Sequence, residues 1–136
     1  MTVLVDSNVI LDLFSEDPRW SPWSSAALEA AANDGRLLIN PIIYGEISFR
    51  FEAIEDLESA LPPIIEREDI PYEAAFLAAK AFTAYRRRAG AAGKTSLLPD
   101  FYIGAHAAIR GYRLLTRDVA RYRTYFPRVA LIAPEN

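Results

Sequence analysis

The sequence predicts an α/β fold: a three-layer α/β/α sandwich around a mostly parallel sheet. Short, wholly apolar runs such as Val3-Leu4-Val5 and Leu37-Leu38-Ile39 read as strands buried on both faces, the pattern of a parallel sheet. Helical segments separate these runs, which is the strand–helix alternation of parallel α/β units. A chain of 136 residues, 51% of them hydrophobic, is long enough for one domain with a continuous core. No internal repeat, linker or low-complexity tract divides it, so residues 1–136 read as a single domain.

Val3-Leu4-Val5 is the first strand and ends at Asp6. Asp6-Ser7-Asn8 then offers N-cap candidates for a helix carrying Val9, Ile10, Leu13 and Phe14. Ser21-Pro22 supplies a cap and a proline at the first helical position, opening an Ala-rich helix that Gly35 ends. Leu37-Leu38-Ile39, stopped by Asn40-Pro41, is the second strand. Helices over 44–51 and 54–61 follow, the latter closed by Pro62-Pro63, and Ile64-Ile65 and Ile70 flank a weak third strand. Pro71 opens a long helix with apolar residues at Ala74, Ala75, Leu77, Ala78, Ala81, Phe82 and Tyr85, ending in Arg86-Arg87-Arg88 and Gly90. After a loop over 90–98, Pro99-Asp100 starts a helix running to about Arg110, with Gly111 as its C-cap. A strand over 113–116, a short helix over 118–125 and a strand over 129–132 complete the chain.

Composition excludes several chemistries. With no Cys there are no disulfides or thiol nucleophiles, and a single His rules out a His-cluster metal site. No apolar run approaches the roughly 18 residues of a membrane helix, and Asp6 follows the apolar start at once without a basic leader. The expectation is a soluble cytoplasmic domain without membrane association. The net charge of −3 averages an uneven distribution. Residues 1–85 hold 15 acids and 5 bases, whereas residues 86–136 hold 3 acids and 10 bases. Thirteen of the 15 basic residues are Arg, the cation suited to bidentate phosphate contact. Such asymmetry suits a polyanionic partner, and it suits equally two halves that neutralise each other.

Ligands of open α/β sheets sit beyond the carboxyl ends of the strands, so acids that follow strands or open the next helix are the informative ones. Asp6 follows the first strand, Glu46 lies in the helix after the second, Asp100 opens the helix after the long loop, and Asp118 follows Leu114-Leu115-Thr116 by one residue. Taken singly, Asp6, Asp100 and Asp118 could be helix caps offsetting the N-terminal dipole. Four acids at one edge would repel one another unless a cation intervened, and Mg²⁺ or Mn²⁺ prefers oxygen ligands of this kind. Metal-dependent phosphodiester hydrolysis is the chemistry such a site suits.

The segments Val5-Asp6-Ser7-Asn8-Val9-Ile10-Leu11-Asp12-Leu13-Phe14, Ile43-Tyr44-Gly45-Glu46-Ile47-Ser48, Leu98-Pro99-Asp100-Phe101-Tyr102-Ile103-Gly104-Ala105-His106-Ala107 and Leu114-Leu115-Thr116-Arg117-Asp118 occur in that order. They resemble the four successive motifs of PIN-domain ribonucleases, and most closely the VapC-type toxins of toxin–antitoxin pairs. The resemblance spans nearly the whole chain. It implies a five-stranded parallel sheet, an acidic Mg²⁺ or Mn²⁺ site, endonucleolytic cleavage of RNA, homodimers, and inhibition by a cognate VapB-type antitoxin. The positions matching the family's metal and catalytic acids are Asp6, Glu46, Asp100 and Asp118. Asn8 and Thr116 fall where the family often carries polar residues supporting a carboxylate or water. Arg117 before the fourth acid, and Arg121-Tyr122-Arg123 after it, depart mildly from the family's pattern. Water attacking in line with a departing 3′-oxygen would leave 5′-phosphate and 3′-hydroxyl ends.

Arg117 and Arg121 are candidate substrate contacts beside the third and fourth motifs, and Arg121 is equally placed for an intrahelical ion pair with Asp118. Gly90-Ala91-Ala92-Gly93-Lys94-Thr95 resembles the tail of a phosphate-binding loop, but the earlier Gly that this pattern needs is replaced by Arg88. Lys94 is left as a candidate phosphate contact. His106 lies about 240° around the helix from Asp100, so a structural role is expected. Trp20, Trp23, Phe49 and Phe51 are candidates for an antitoxin-facing surface, whereas Asp12, Asp17 and the Glu52–Glu58 cluster read as solvated faces. Two rival functions remain. A phospho-acceptor signalling domain would want an Asp where Asn40-Pro41 ends the second strand, and a catalytically silent PIN-like binding module would not need all four acids.

Overall fold

The computed structural model describes residues 1–90 and 97–135. Its elements are β1 (Thr2–Val5), α1 (Ser7–Ser15), α2 (Ser21–Asp34), β2 (Arg36–Ile39), α3 (Pro41–Ser48), α4 (Ile54–Ala60), β3 (Ile65–Arg67), α5 (Tyr72–Ala89), α6 (Leu98–Arg110), β4 (Arg113–Leu115), α7 (Val119–Tyr125) and β5 (Leu131–Ile132). The five strands form one sheet in the order β3-β2-β1-β4-β5, and every neighbouring pair is parallel. In register, Leu4 of β1 lies between Leu38 of β2 and Leu114 of β4.

Val3, Leu4 and Val5 are all buried, as are Leu37, Leu38 and Ile39. Successive side chains of a strand point to opposite faces, so burial of every one requires cover on both sides of the sheet. This is the three-layer arrangement expected from the uninterrupted apolar runs. α5 packs along α6 and α1 along α2. Phe82 and Tyr85 of α5, Phe101 of α6, and Tyr125 and Phe126 at the end of α7 form a ring cluster, with centroids 5.2–6.1 Å apart. Gly104 of α6 permits this packing, because a Cβ there would stand 2.4 Å from a ring carbon of Phe126.

Several boundaries differ from the sequence expectation. α3 begins at Pro41, because the Asn40 side chain accepts the Ile43 N–H at 2.9 Å and caps the helix three residues early. Ser21 does not cap α2; Asp17 instead accepts the N–H groups of Arg19 at 2.8 Å and Trp20 at 3.1 Å in the turn before it. β5 is confined to Leu131–Ile132 and β3 to Ile65–Arg67. Asp12, expected on a solvated face, is buried. Its carboxylate accepts from the Ser24 hydroxyl at 2.6 Å and pairs with Arg117 at 2.7 and 2.8 Å. Long-range partners compensate the burial of a charge that a helical period alone places on the surface.

Candidate active site

A parallel sheet brings the carboxyl ends of its strands to one edge, and a helix leading back into such a strand starts at that edge. Asp6 is the first residue beyond β1, where the strand order reverses between β2 and β4. α3 leaves β2 and carries Glu46; Thr116, Arg117 and Asp118 leave β4; and α6, which leads into β4, carries Asp100 in its first turn.

Asp6 is only 3% exposed. One oxygen, Oδ1, accepts the Ser7 N–H at 2.8 Å. The other, Oδ2, accepts from the Thr116 hydroxyl at 2.7 Å, the Tyr122 hydroxyl at 3.1 Å and Asn8 Nδ2 at 3.4 Å. Burial pushes the Asp6 carboxyl above its ordinary range; bonds from Thr116, Ser7 and Tyr122 pull it back, and the charge of Asp118 adds to the rise. Burial, with the charge of Asp6 beside it, holds the Tyr122 hydroxyl well above the ordinary tyrosine range and keeps it a donor. Thr116 also accepts the Asp118 N–H at 3.0 Å, and Asn8 accepts the Arg117 N–H at 3.2 Å. Asn8 and Thr116 therefore join the β4 exit to the carboxylate of Asp6.

Ser7 connects two acids. Its N–H is on Asp6 and its hydroxyl donates to Glu46 Oε1 at 2.9 Å. Burial raises the half-buried Glu46 carboxyl, and the charge of Asp6 adds to this against the Ser7 bond. Asp100 is pushed up to about 7 by burial and by the charges of Asp6, Glu46 and Asp118, with Arg121 opposing. The Arg121 guanidinium donates through Nη1 to Asp100 and also to Asp118 Oδ2, the latter at 2.9 Å.

All four acids therefore belong to one electrostatic group at the edge of the sheet. Its donors are oxygen only, which suits a hard divalent cation, and the mutual repulsion registered at Asp100 is what such a cation relieves. As arranged, no three His, Cys, Asp or Glu side chains among the described residues are grouped to hold an ion. Arg121 stands between two of the four acids, bonded to both.

The remaining expected residues fall as follows. Arg117 turns inward to Asp12, with its guanidinium 4.6 Å from the Trp20 ring centroid. His106 is buried, with Nδ1 3.0 Å from Asn40 Nδ2 and Nε2 2.7 Å from Glu68. Because Asn40 Oδ1 caps α3, its amide faces the ring as a donor, and the tautomer assigned on that basis carries its proton on Nε2. Phe49 is 94% exposed, whereas Phe51 packs edge-on against Phe14 at 5.2 Å. Lys94 and the Gly93 loop lie outside the described residues.

Three participants were not legible from the motifs: the Ser7 hydroxyl on Glu46, the Tyr122 hydroxyl on Asp6, and Asp100 as a second partner of Arg121. Tyr122 had one weak signal, its spacing of four residues from Asp118. Nothing local links Ser7 to Glu46.

Residues 3–127 match the family model of the PIN domain. Among solved structures, the fold is similar to the VapBC2 complex of Rickettsia felis bound to a fragment of promoter DNA, with a TM-score of 0.72, 18% identity and 98% of each chain covered. It is similar to VapBC-1 of nontypeable Haemophilus influenzae at a TM-score of 0.72, 17% identity and 98% of each chain. It is also similar to FitAcB of Neisseria gonorrhoeae at a TM-score of 0.68, 21% identity and 96% of each chain. Comparison with curated protein sequences gives no match.

Proposed function

Because the chain belongs to the PIN-domain family, whose model matches residues 3–127, we propose that it is a divalent-metal-dependent endoribonuclease and the toxin of a toxin–antitoxin pair. The observation that supports the nuclease assignment is the placement of Asp6, Glu46, Asp100 and Asp118 at one sheet edge, with Ser7 bridging the first two and Arg121 the last two. Asp6, Glu46 and Asp100 would hold Mg²⁺ or Mn²⁺, with Asp118 completing the set. When bound, such an ion supplies positive charge to the phosphodiester and acidifies water beside it.

The chain's own residues do the rest. Thr116, Ser7, Asn8 and Tyr122 fix both oxygens of Asp6, so this carboxylate cannot rotate away from the edge. Ser7 orients Glu46 in the same way. Asp100, pushed up to about 7 despite the charge of Arg121, is an acid that added positive charge would draw further toward its ionised form. RNA is the substrate that the family resemblance implies, and the Arg-rich second half of the chain suits a phosphate backbone.

The expected partners are a VapB-type antitoxin and a second copy of the chain. Support comes from structural neighbours that are VapBC and FitAB complexes covered over nearly their full toxin-like length. Phe49, expected with Trp20, Trp23 and Phe51 on an antitoxin-facing surface, is 94% exposed and is the first position to probe for antitoxin contact. No helix among the described residues is long and apolar enough to cross a membrane.

The test is cleavage of a mixed RNA panel by the purified protein with Mg²⁺ or Mn²⁺, with EDTA, and by Asp6→Asn. We expect divalent-dependent cuts bearing 5′-phosphates, abolished by EDTA and by the substitution, while Asp6→Asn keeps the wild-type circular dichroism spectrum at the assay temperature. Cleavage that survives Asp6→Asn would overturn the assignment. RNA binding without any cleavage would favour the silent binding module instead.

A further inference from the structure

The site already contains a cation. The Arg121 side chain is 24% exposed, and its Nη1 is shared between Asp100 and Asp118. These acids come from α6 and from the residue ahead of α7, so one guanidinium closes the gap between two elements. Among the described residues Asp6 and Glu46 have no such partner: the bonds they accept there come from Ser7, Thr116, Asn8 and Tyr122, all neutral donors. The four acids are thus divided into a pair held by a fixed positive charge and a pair held by neutral groups.

A divalent ion drawn to all four acids competes with Arg121, whose Nη1 already holds one oxygen each of Asp100 and Asp118. Two cations on the same carboxylate oxygens also repel each other strongly in a partly dry site. The two sides of the exchange differ in cost. Tyr122, the next residue, is fully buried and anchors α7, whereas Arg121 has a long chain and a guanidinium that reaches solvent. Arg121 can therefore leave by side-chain rotation alone, with the helix in place.

Building on the metal-dependent reading above, we propose that Arg121 is an exchangeable internal counter-ion. It holds Asp100 and Asp118 together in the metal-free protein and releases them when a divalent cation enters. This also joins the two roles that its position in the sequence allows. The residue is an ion-pair partner before metal binds and a free guanidinium beside the acids afterwards, where a phosphate would lie.

The experiment is Mn²⁺ binding to the protein alone, followed through the electron paramagnetic resonance signal of the free ion, for wild type, Arg121→Gln and Arg121→Lys. Arg121→Gln should bind Mn²⁺ about tenfold more tightly than wild type, since it removes the competitor. In EDTA it should melt below wild type, and saturating Mn²⁺ should close most of that difference. Arg121→Lys should fall between the two. In wild type, the side-chain ¹⁵N–H resonance assigned to Arg121 by its loss in Arg121→Gln should move as Mg²⁺ is added. Equal or weaker Mn²⁺ binding by Arg121→Gln, or a resonance unmoved at saturating Mg²⁺, overturns the exchange while leaving the nuclease assignment intact. Absence of Mn²⁺ binding by every protein overturns the metal site itself, and RNA cleavage in EDTA would mark that second failure independently.

Discussion

Arg117 grips Asp12 with two parallel hydrogen bonds, Nε to Oδ2 at 2.7 Å and Nη2 to Oδ1 at 2.8 Å, tying the exit of β4 to the middle of α1. The Asp12 side chain is 5% exposed and that of Arg117 is 26% exposed. Without Arg117, the Asp12 carboxylate would keep only the Ser24 hydroxyl among the described residues. Arg117→Met should therefore cost about 2–4 kcal/mol in urea unfolding, somewhat less than a fully buried pair because Arg117 reaches water. The double variant Asp12→Leu/Arg117→Met should recover much of this loss. A phosphate-binding role alone would leave stability unchanged and weaken RNA binding instead.

His106 ties three elements together, since its ring joins Asn40 after β2 to Glu68 after β3 from within α6. Glu68 also accepts from the Tyr112 hydroxyl at 2.8 Å. Replacing the ring by an apolar group leaves a buried amide and a carboxylate short of partners. His106→Leu should lose about 2–3 kcal/mol by the same unfolding measurement. Mn²⁺ affinity and cleavage per folded molecule should stay at wild-type values. A drop in turnover without a drop in stability would instead make the ring a participant in catalysis.

Two helical glycines should respond with opposite signs. A Cβ on Gly104 meets two Phe126 ring carbons at 2.4 and 2.6 Å, while one on Gly45 meets nothing within 4 Å. Gly104→Ala should destabilise by about 1–3 kcal/mol through overpacking. Gly45→Ala should stabilise by up to about 1 kcal/mol, because alanine loses less conformational freedom in a helix. Thermal melts of the two single variants check both directions, and Gly104→Ala combined with Phe126→Leu should regain part of the loss.

Asp100 carries the clearest pH signature. Its folded value of about 7 lies above the ordinary 3.8, so the folded state binds this proton more tightly than the unfolded chain does. Its contribution to stability is fully present below about pH 4 and is lost as pH rises through about 7. Asp6 and Glu46 shift in the same direction, whereas surface Glu58 and Glu66, paired with Arg67 and Arg36, shift in the opposite one. The informative quantity is therefore a difference. In EDTA, the melting temperature of wild type relative to Asp100→Asn should fall between pH 4 and 7 and level off above. Mg²⁺ should abolish that fall at neutral pH, because it binds the ionised acid.

Much of the architecture follows from local sequence. Three apolar residues in a row at Val3-Leu4-Val5 and Leu37-Leu38-Ile39 demand cover on both faces, and that requirement selects a parallel sheet between helical layers. Gly35 and Gly111 end their helices where the sequence places them. The edge position of Asp6, Glu46, Asp100 and Asp118 follows as well, since parallel connectivity sends every strand exit and every returning helix start to the same side. The start of α3 was less legible, because Asn40 is both the end of a strand and a cap.

Partnership between distant side chains was decided only by the tertiary structure. Asp12 reads as a surface acid until Ser24 and Arg117 reach it, and Arg117 reads as a phosphate ligand until Asp12 takes its Nε and Nη2. Arg121 is legible as a neighbour of Asp118 within one helical turn, but its hold on Asp100 depends on how α6 and α7 approach. Ser7 on Glu46 and Tyr122 on Asp6 arise in the same way. Element type is set by periodicity and capping within a few residues, which the chain carries in its order. The state of a charge is set by whether water or a partner surrounds it, and that is decided only when the packed helices exclude the water.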